Sequence, residues 1–258
     1  KLKKREILAA YLASLSEEDL ETAVRFLSAR PFPREDGIRA ASVGWTLIRQ
    51  ALLDLSGLTL AQLRQISASQ ADAARTTYLI LQGRTTPEPR SLAEISEFFC
   101  ELAREKGQTA KLRRLRVVLA GLTPGEGALV VGILTGDLRI GLKEGLLEEA
   151  IADAFGRDPG EVREANMLVG DLGETVRLAR AGRLGEAGAT WFTPIRVMLA
   201  SPEEDAEAIV ARHGGEGRLL WLEDKFDGIR AQLHRRGDEV GIYSRDLRPL
   251  HAEFPELV

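Results

Sequence analysis

The chain has 258 residues, of which 44% are apolar and 29% charged, with a formal net charge of −4. That composition describes a globular protein with room for one large domain or two ordinary ones, and it excludes a disordered or fibrous chain. One cysteine, Cys100, excludes an internal disulfide and fits a reducing cytoplasm, and no apolar run reaches the roughly 20 residues of a membrane span.

The basic start, KLKKR, leads into a charged amphipathic helix and not into an apolar signal core. Ile7, Leu8, Tyr11, Leu12 and Leu15 fall at the spacing of one helical face, which predicts that they are buried together. Further on, Thr59-Leu-Ala-Gln62 and Ser91-Leu-Ala-Glu94 read as capping boxes. Thr123-Pro-Gly-Glu126 and Asp158-Pro-Gly-Glu161 each set a cap, a proline at the first helical position and a glutamate reaching back. Leu146, Leu147, Ala150, Ile151, Ala154 and Phe155 repeat the helical spacing. Residues 1 to 181 thus predict about ten helices and no strand. We set an all-α domain at 1–190, with the loose stretch AGRLGEAGAT (181–190) as its end.

Within that half the charge is uneven. Residues 104–116 carry Arg104, Lys106, Lys111, Arg113, Arg114 and Arg116 against the single acid Glu105, a local +5 in an acidic chain. Leu134–Leu142 places Gly136 and Gly141 around Arg139, and Lys143 follows. Lysines and arginines beside glycine-opened helix starts suit phosphate, so Lys111, Arg113, Arg114, Gly136, Arg139, Gly141 and Lys143 are candidate contacts to a nucleic-acid backbone. A solvated basic helix face explains any one of them equally well. Arg116, followed by Val117, Val118 and Leu119, reads as bordering the core.

The period changes in residues 191–258. Ser201-Pro-Glu-Glu204 predicts a helix to about Arg212. Three extended runs follow, at 218–223, 229–235 and 239–244, and RRGDE (235–239) reads as the hairpin turn between the last two. This is the beginning of an α/β or β-rich domain. With no leading methionine and an abrupt stop at HAEFPELV, we expect a fragment of a longer protein. His213, His234 and His251 are scattered, without the spacing of a zinc site. Trp45, Trp191 and Trp221 read as packing residues and Cys100, behind Phe98 and Phe99, as a buried helix residue.

LEDKFDGIR (222–230) sets a lysine, an aspartate, a glycine and an arginine on what reads as strand, turn and strand. A lysine amine can attack phosphorus if its proton is lost, and nearby arginines can neutralise phosphate charge. Gly228 would let backbone approach a ligand without a side chain between. A plain hairpin with a surface Lys/Arg pair is the competing reading, and spacing alone leaves both open.

Glu223-x-Lys225-x-Asp227-Gly228-x-Arg230 resembles motif I of the covalent nucleotidyltransferases, the superfamily of DNA ligases, RNA ligases and capping enzymes. Thr193-Pro-Ile-Arg-Val-Met-Leu-Ala200 resembles the segment that opens the adenylation domain of ATP-dependent DNA ligases. Ser244-Arg245-Asp246 is similar to their Ser-Arg-Asn element, with aspartate for asparagine, and Leu134–Leu142 to a glycine-punctuated stretch of their helical DNA-binding domain. The resemblance covers nearly the whole chain in order, and implies a multidomain fold: an all-α N-terminal DNA-binding domain followed by the start of an α/β nucleotidyltransferase (adenylation) domain. It implies that Lys225 accepts AMP from ATP, that Glu223 reads the adenine, that Arg230 and Arg245 lie near AMP and the 5′-phosphate, and that Asp227 and Gly228 position the loop. The implied partner is nicked duplex DNA, contacted along the minor groove. We expect the isolated chain to be a monomer, in the cytoplasm and nucleoid-associated if the source is prokaryotic, with no membrane partner. Magnesium ligands are expected downstream of Val258, with none in this chain, so the 258 residues alone should not seal nicks and should self-adenylate poorly or not at all. A non-catalytic DNA-binding fragment and an RNA ligase or capping-type enzyme are the alternatives.

Overall fold

The structure, a computed structural model, describes residues 2–33, 38, 40–70, 72–196, 202–215, 217–245 and 247–257. It divides into two compact units, 1–187 and 188–258. The first contains α1 (Leu2–Ser14), α2 (Glu17–Leu27), α3 (Trp45–Ser56), α4 (Leu60–Ala68), α5 (Ala73–Leu81), α6 (Leu92–Arg104), α7 (Gln108–Ala120), α8 (Pro124–Thr135), α9 (Glu144–Phe155), α10 (Pro159–Val169) and α11 (Leu172–Ala181). No strand lies among its described residues.

The helix starts follow the local code. Thr59, Ser91 and Thr123 each accept a bond from the backbone N–H three residues on, while Gln62, Glu94 and Glu126 reach back to the capping residue. Asp158 caps α10 by accepting from the N–H groups of Gly160 and Glu161, and Pro159 opens the helix without a donor to satisfy. Gly57, Gly136, Gly156, Gly170 and Gly182 close five helices in the left-handed conformation.

Two apolar clusters hold this unit. Ile48, Leu52, Ile80, Leu81, Phe99, Leu115, Leu119 and Val131 build one, from α3, α5, α6, α7 and α8. Leu12, Leu20, Val24, Leu147, Ile151, Val162 and Val176 build the other, from α1, α2, α9, α10 and α11. Phe26 meets Phe99 edge-on at 5.4 Å, and so links helix α2 of the second set to the first cluster. Arg25, nearly buried, ties α2 to the N-cap of α11 through Asp171 at 3.2 Å. The predicted face of α1 is corrected in part: Leu12 is buried, yet Ile7 lies mostly open and Tyr11 is only partly covered, because α1 rests on α9 along a narrower stripe.

The second unit holds α12 (Ala206–His213) and a hairpin of β1 (Ala231–Arg236) and β2 (Glu239–Ser244). The antiparallel register runs from Ala231 opposite Ser244 to Arg236 opposite Glu239. Asp205, not Ser201, caps α12, accepting from the Ala208 N–H; Ser201 lies outside the described residues. The extended run expected at 218–223 forms no strand, since no described residue pairs with it. Trp45 packs against the first cluster as expected, whereas Trp191 and Trp221 are exposed, the latter 87%. Cys100 is buried. Among the described residues no helix is long and apolar enough to cross a membrane.

Candidate functional site

In the second unit the hairpin gathers its own supports. Tyr243, buried on β2, donates its hydroxyl to the Phe192 carbonyl at 2.7 Å, and His234 Nδ1 accepts from the Phe192 N–H at 3.2 Å. The Gln232 carboxamide behaves as a short piece of strand: its oxygen accepts from the Ile195 N–H at 3.0 Å and its nitrogen donates to the Ile195 carbonyl at 2.5 Å. The segment 192–196 is thus fastened to the hairpin by side chains. Residues 197–200 of the opening segment lie outside the described residues.

The register has a consequence for the candidate arginines. Ala231 faces Ser244, so Arg230 and Arg245 flank the same open end of the hairpin, opposite the turn at Gly237. After Ser244 the chain doubles back, with the Ser244 N–H donating to the Arg248 carbonyl at 2.8 Å, which leaves Arg245 at a turn. Asp246 lies outside the described residues. Lys225 precedes Arg230 by five residues, a reach of roughly 17 Å at most for extended chain. Glu223, Lys225, Asp227, Gly228 and Arg230 belong to a continuous exposed stretch, 217–231, with a bend at Gly228. The expected strand–turn–strand around Lys225 is therefore corrected to an irregular exposed segment with one bend, and a strand begins only at Ala231. A Cβ at Gly228 would meet nothing within 4 Å, so the space beside the bend is open.

In the helical unit the basic cluster separates into different roles. Lys111 is corrected outright: it is 5% exposed and its Nζ donates to the Ala41 carbonyl at 2.6 Å, so it ties the chain before α3 to α7 and faces no solvent. Its place in the i, i+4 row with Leu115 and Leu119 turns it inward. Arg114 lies between Glu101, at 2.5 Å, and Glu105, at 3.2 Å, and Arg116 is exposed and pairs with Asp54 at 3.3 Å instead of bordering the core. Arg113 is exposed on α7.

The turn from α8 to α9 keeps its four candidates together. Gly136 closes α8 at φ 69°, Arg139 sits at φ 45° and Gly141 at φ 64°, and Lys143 is the exposed N-cap of α9. Three left-handed residues in six wrap the backbone around a cleft of about 390 Å³, faced from the other side by Leu27, Ser28 and Ala29. Helix α9 has no side-chain cap, which leaves its first N–H groups to other acceptors. The Arg139 guanidinium donates to Asp137 at 2.7 Å, and that bond raises its pKa above the ordinary arginine value. Glu144, also at the cleft, accepts from the Asn166 side chain at 2.8 Å. Lys4, which no sequence motif singles out, joins the turn: its Nζ donates to the Ile140 carbonyl at 2.9 Å. No local pattern could have set residue 4 beside residue 140; only the basic run at the N-terminus hinted at a surface role.

A helical domain with a basic glycine-wrapped turn, followed by the start of an adenylation domain that displays a KxDG lysine, defines the class. Comparison places the chain within it. The family model described as DNA ligase N terminus matches residues 1–152, and that described as ATP dependent DNA ligase domain matches residues 197–258. The chain belongs to the DNA ligase N-terminus family. It is 37% identical to the probable DNA ligase of Opitutus terrae over 321 residues, covering 100% of this chain and 32% of that protein. It is 39% identical to the probable DNA ligase of Koribacter versatilis over 260 residues, covering 100% and 44%, and 29% identical to the DNA ligase of Methanothrix thermoacetophila over 267 residues, covering 99% and 47%. The chain spans about a third to a half of the length of these curated relatives.

Proposed function

We propose that the chain is the DNA-binding part and the nucleotide-accepting segment of an ATP-dependent DNA ligase that seals nicks in duplex DNA during repair or replication. What carries the reading is the tandem match of the two ligase family models, the second of which contains Lys225 in its EDKFDG setting. The helical domain spans 1–190 and the adenylation segment 191–258.

Lys225 Nζ, once it has lost a proton, attacks the α-phosphorus of ATP. An N–P bond forms, the bond to the bridging oxygen breaks, and pyrophosphate leaves. A 5′-phosphate oxygen at the nick then takes the adenylyl group and releases the amine, and the 3′-hydroxyl displaces AMP to close the strand. Glu223 recognises the base, while Arg230 and Arg245, at one end of the hairpin, offer planar guanidinium forks to the phosphates. Asp227 and Gly228 set the shape of the loop. We place the magnesium ligands of the ligase downstream of Val258; among the described residues no group of three His, Cys, Asp or Glu gathers.

In the helical unit Arg113, Arg139 and Lys143, with the backbone at Gly136 and Gly141, hold the duplex phosphates. Arg114, shared between two acids, contributes less. The chain works as a monomer in the cytoplasm, nucleoid-associated if its source is prokaryotic. The test is binding to a nicked and an intact duplex of equal length across a salt series. Nick-preferring binding whose logarithm falls linearly with the logarithm of salt is expected. Absence of binding even at low salt would overturn the reading.

A further inference from the structure

The turn between α8 and α9 has unusual demands. Its backbone takes the left-handed conformation three times, at Gly136, Arg139 and Gly141, and one of these carries a side chain. Arg139 at φ 45° is disfavoured on its own, so contacts around the turn must hold it there. The first part is held by the end of α8: the Gly136 N–H donates to the Ile133 carbonyl at 3.1 Å and the Asp137 N–H to the Gly132 carbonyl at 2.9 Å. The second part, 139–142, is reached from 136 residues away. The Lys4 ammonium donates to the Ile140 carbonyl at 2.9 Å.

Two further observations make this contact more than a passing surface bond. A Cβ on Gly141 would come within 2.7 Å of Lys4 Nζ, so the ammonium sits in the place that the missing side chain leaves open. One residue along, Arg5 is fastened to α9 by Asp153 at 2.6 Å and Glu149 at 3.8 Å. The first turn of α1 is thereby fixed to the helix that the turn leads into, and Lys4 leaves it from a rigid base.

We propose that Lys4 is a positioning residue for DNA binding: its ammonium, seated against Gly141 and bonded to the Ile140 carbonyl, holds the 136–143 turn in the shape that presents Arg139 and Lys143 to phosphate. The inference rests on the DNA-binding reading of that turn. A lysine that positions is distinguishable from a lysine that touches phosphate, because each phosphate contact adds about 0.9 to the slope of log affinity against log salt.

The experiment uses the whole 258-residue chain, with fluorescence anisotropy on a nicked duplex over a salt series and amide hydrogen exchange on the free protein. Lys4→Met should weaken binding roughly three- to ten-fold, the size of one exposed charge-assisted hydrogen bond, by the same factor at every salt. Its slope should match that of the unsubstituted chain, and amides 139–142 should exchange faster. Lys4→Arg should restore most of both. Gly141→Ala expels the ammonium by itself, so adding Lys4→Met to it should cost little more. A slope lower by about 0.9 would make Lys4 a direct phosphate contact and overturn the proposal. So would unchanged affinity with unchanged exchange. If the unsubstituted chain does not bind duplex at all, the DNA-binding reading fails, while the exchange measurement still decides whether Lys4 holds the turn.

Discussion

Lys111 was expected on the DNA and is found inside the protein, and the two placements predict opposite behaviour. Its Nζ sits 2.6 Å from the Ala41 carbonyl, and both residues are more than nine-tenths buried. Lys111→Met keeps most of the apolar stem and deletes the bond, leaving that carbonyl without its donor. A hydrogen bond from a charged group contributes about 1.5–3 kcal/mol net, so Met should cost about 1–3 kcal/mol. Lys111→Ala also removes three methylenes at about 0.8 kcal/mol each, which brings the loss to about 3–5 kcal/mol. For a unit of this size each kcal/mol lowers the Tm by roughly 2–4 °C. Urea and thermal unfolding followed by circular dichroism would read the loss. In parallel, the salt slope of duplex binding should stay unchanged for Lys111→Met and fall by about 0.9 for Arg113→Ala. A Lys111→Met chain as stable as the original, but with a reduced slope, would refute this account of the residue.

Three other outcomes are expected. Glu94 is held below the ordinary carboxylate pKa of 4.5 by the Ser91 backbone N–H, and further by the Ser91 hydroxyl. Its folded value is the lower one, so its stabilisation is present above the unfolded value and lost as pH falls through the folded value; Glu94→Gln should flatten the acid limb of a stability–pH profile. A Cβ at Gly127 would fall 2.6 Å from Leu81 Cδ1, where α8 crosses α5, whereas one at Gly125 meets nothing within 4 Å. Gly127→Ala should therefore destabilise by about 1 kcal/mol, overpacking outweighing helix propensity, while Gly125→Ala should stabilise by up to about 1 kcal/mol in the same urea titration. Lys225→Ala, in an exposed stretch, should leave stability within about 0.5 kcal/mol and remove whatever labelling the chain takes from ATP radioactive at the α-phosphate.

Much of the helical unit was legible because its signals are local. A capping box spans four residues, and Thr59, Ser91 and Thr123 each satisfied backbone donors that any helix start must satisfy. Whether a residue faces the core is a different matter, because it depends on what lies across from the helix. Ile7 and Tyr11 share a period with Leu12, yet they overhang the contact with α9. Lys111 carries a charge and still turns inward, because a carbonyl seventy residues away in sequence waits there. The pairing of Arg230 with Arg245 at one hairpin end was legible from RRGDE, since a turn fixes register and register fixes neighbours. The meeting of Lys4 with Ile140 was not, because nothing short of the tertiary fold brings those positions together.

The same distinction explains the state of the lysine loop. In unit 188–258 the buried residues among those described include Pro194, Ile242 and Tyr243, while Leu219, Trp221, Leu222, Phe226 and Ile229 are exposed. Fixing one residue's backbone costs about 1–2 kcal/mol, and a stretch that buries no apolar surface has little to offset it. Residues 217–231 should therefore lie at the low-stability end of the molecule, while the hairpin, with its ladder and the Tyr243 and Gln232 anchors, should hold. Amide exchange is expected to be near the free-chain rate across 217–230 and slower by orders of magnitude at the Gln232 and Tyr243 amides, which face each other across the hairpin. An exposed, loosely held Lys225 lacks both the desolvation and the fixed geometry that make a lysine a nucleophile, so ATP labelling of this chain should be weak. Strong protection of 217–230, or rapid and complete labelling of Lys225 in the 258-residue chain, would show that this segment builds its site without further packing.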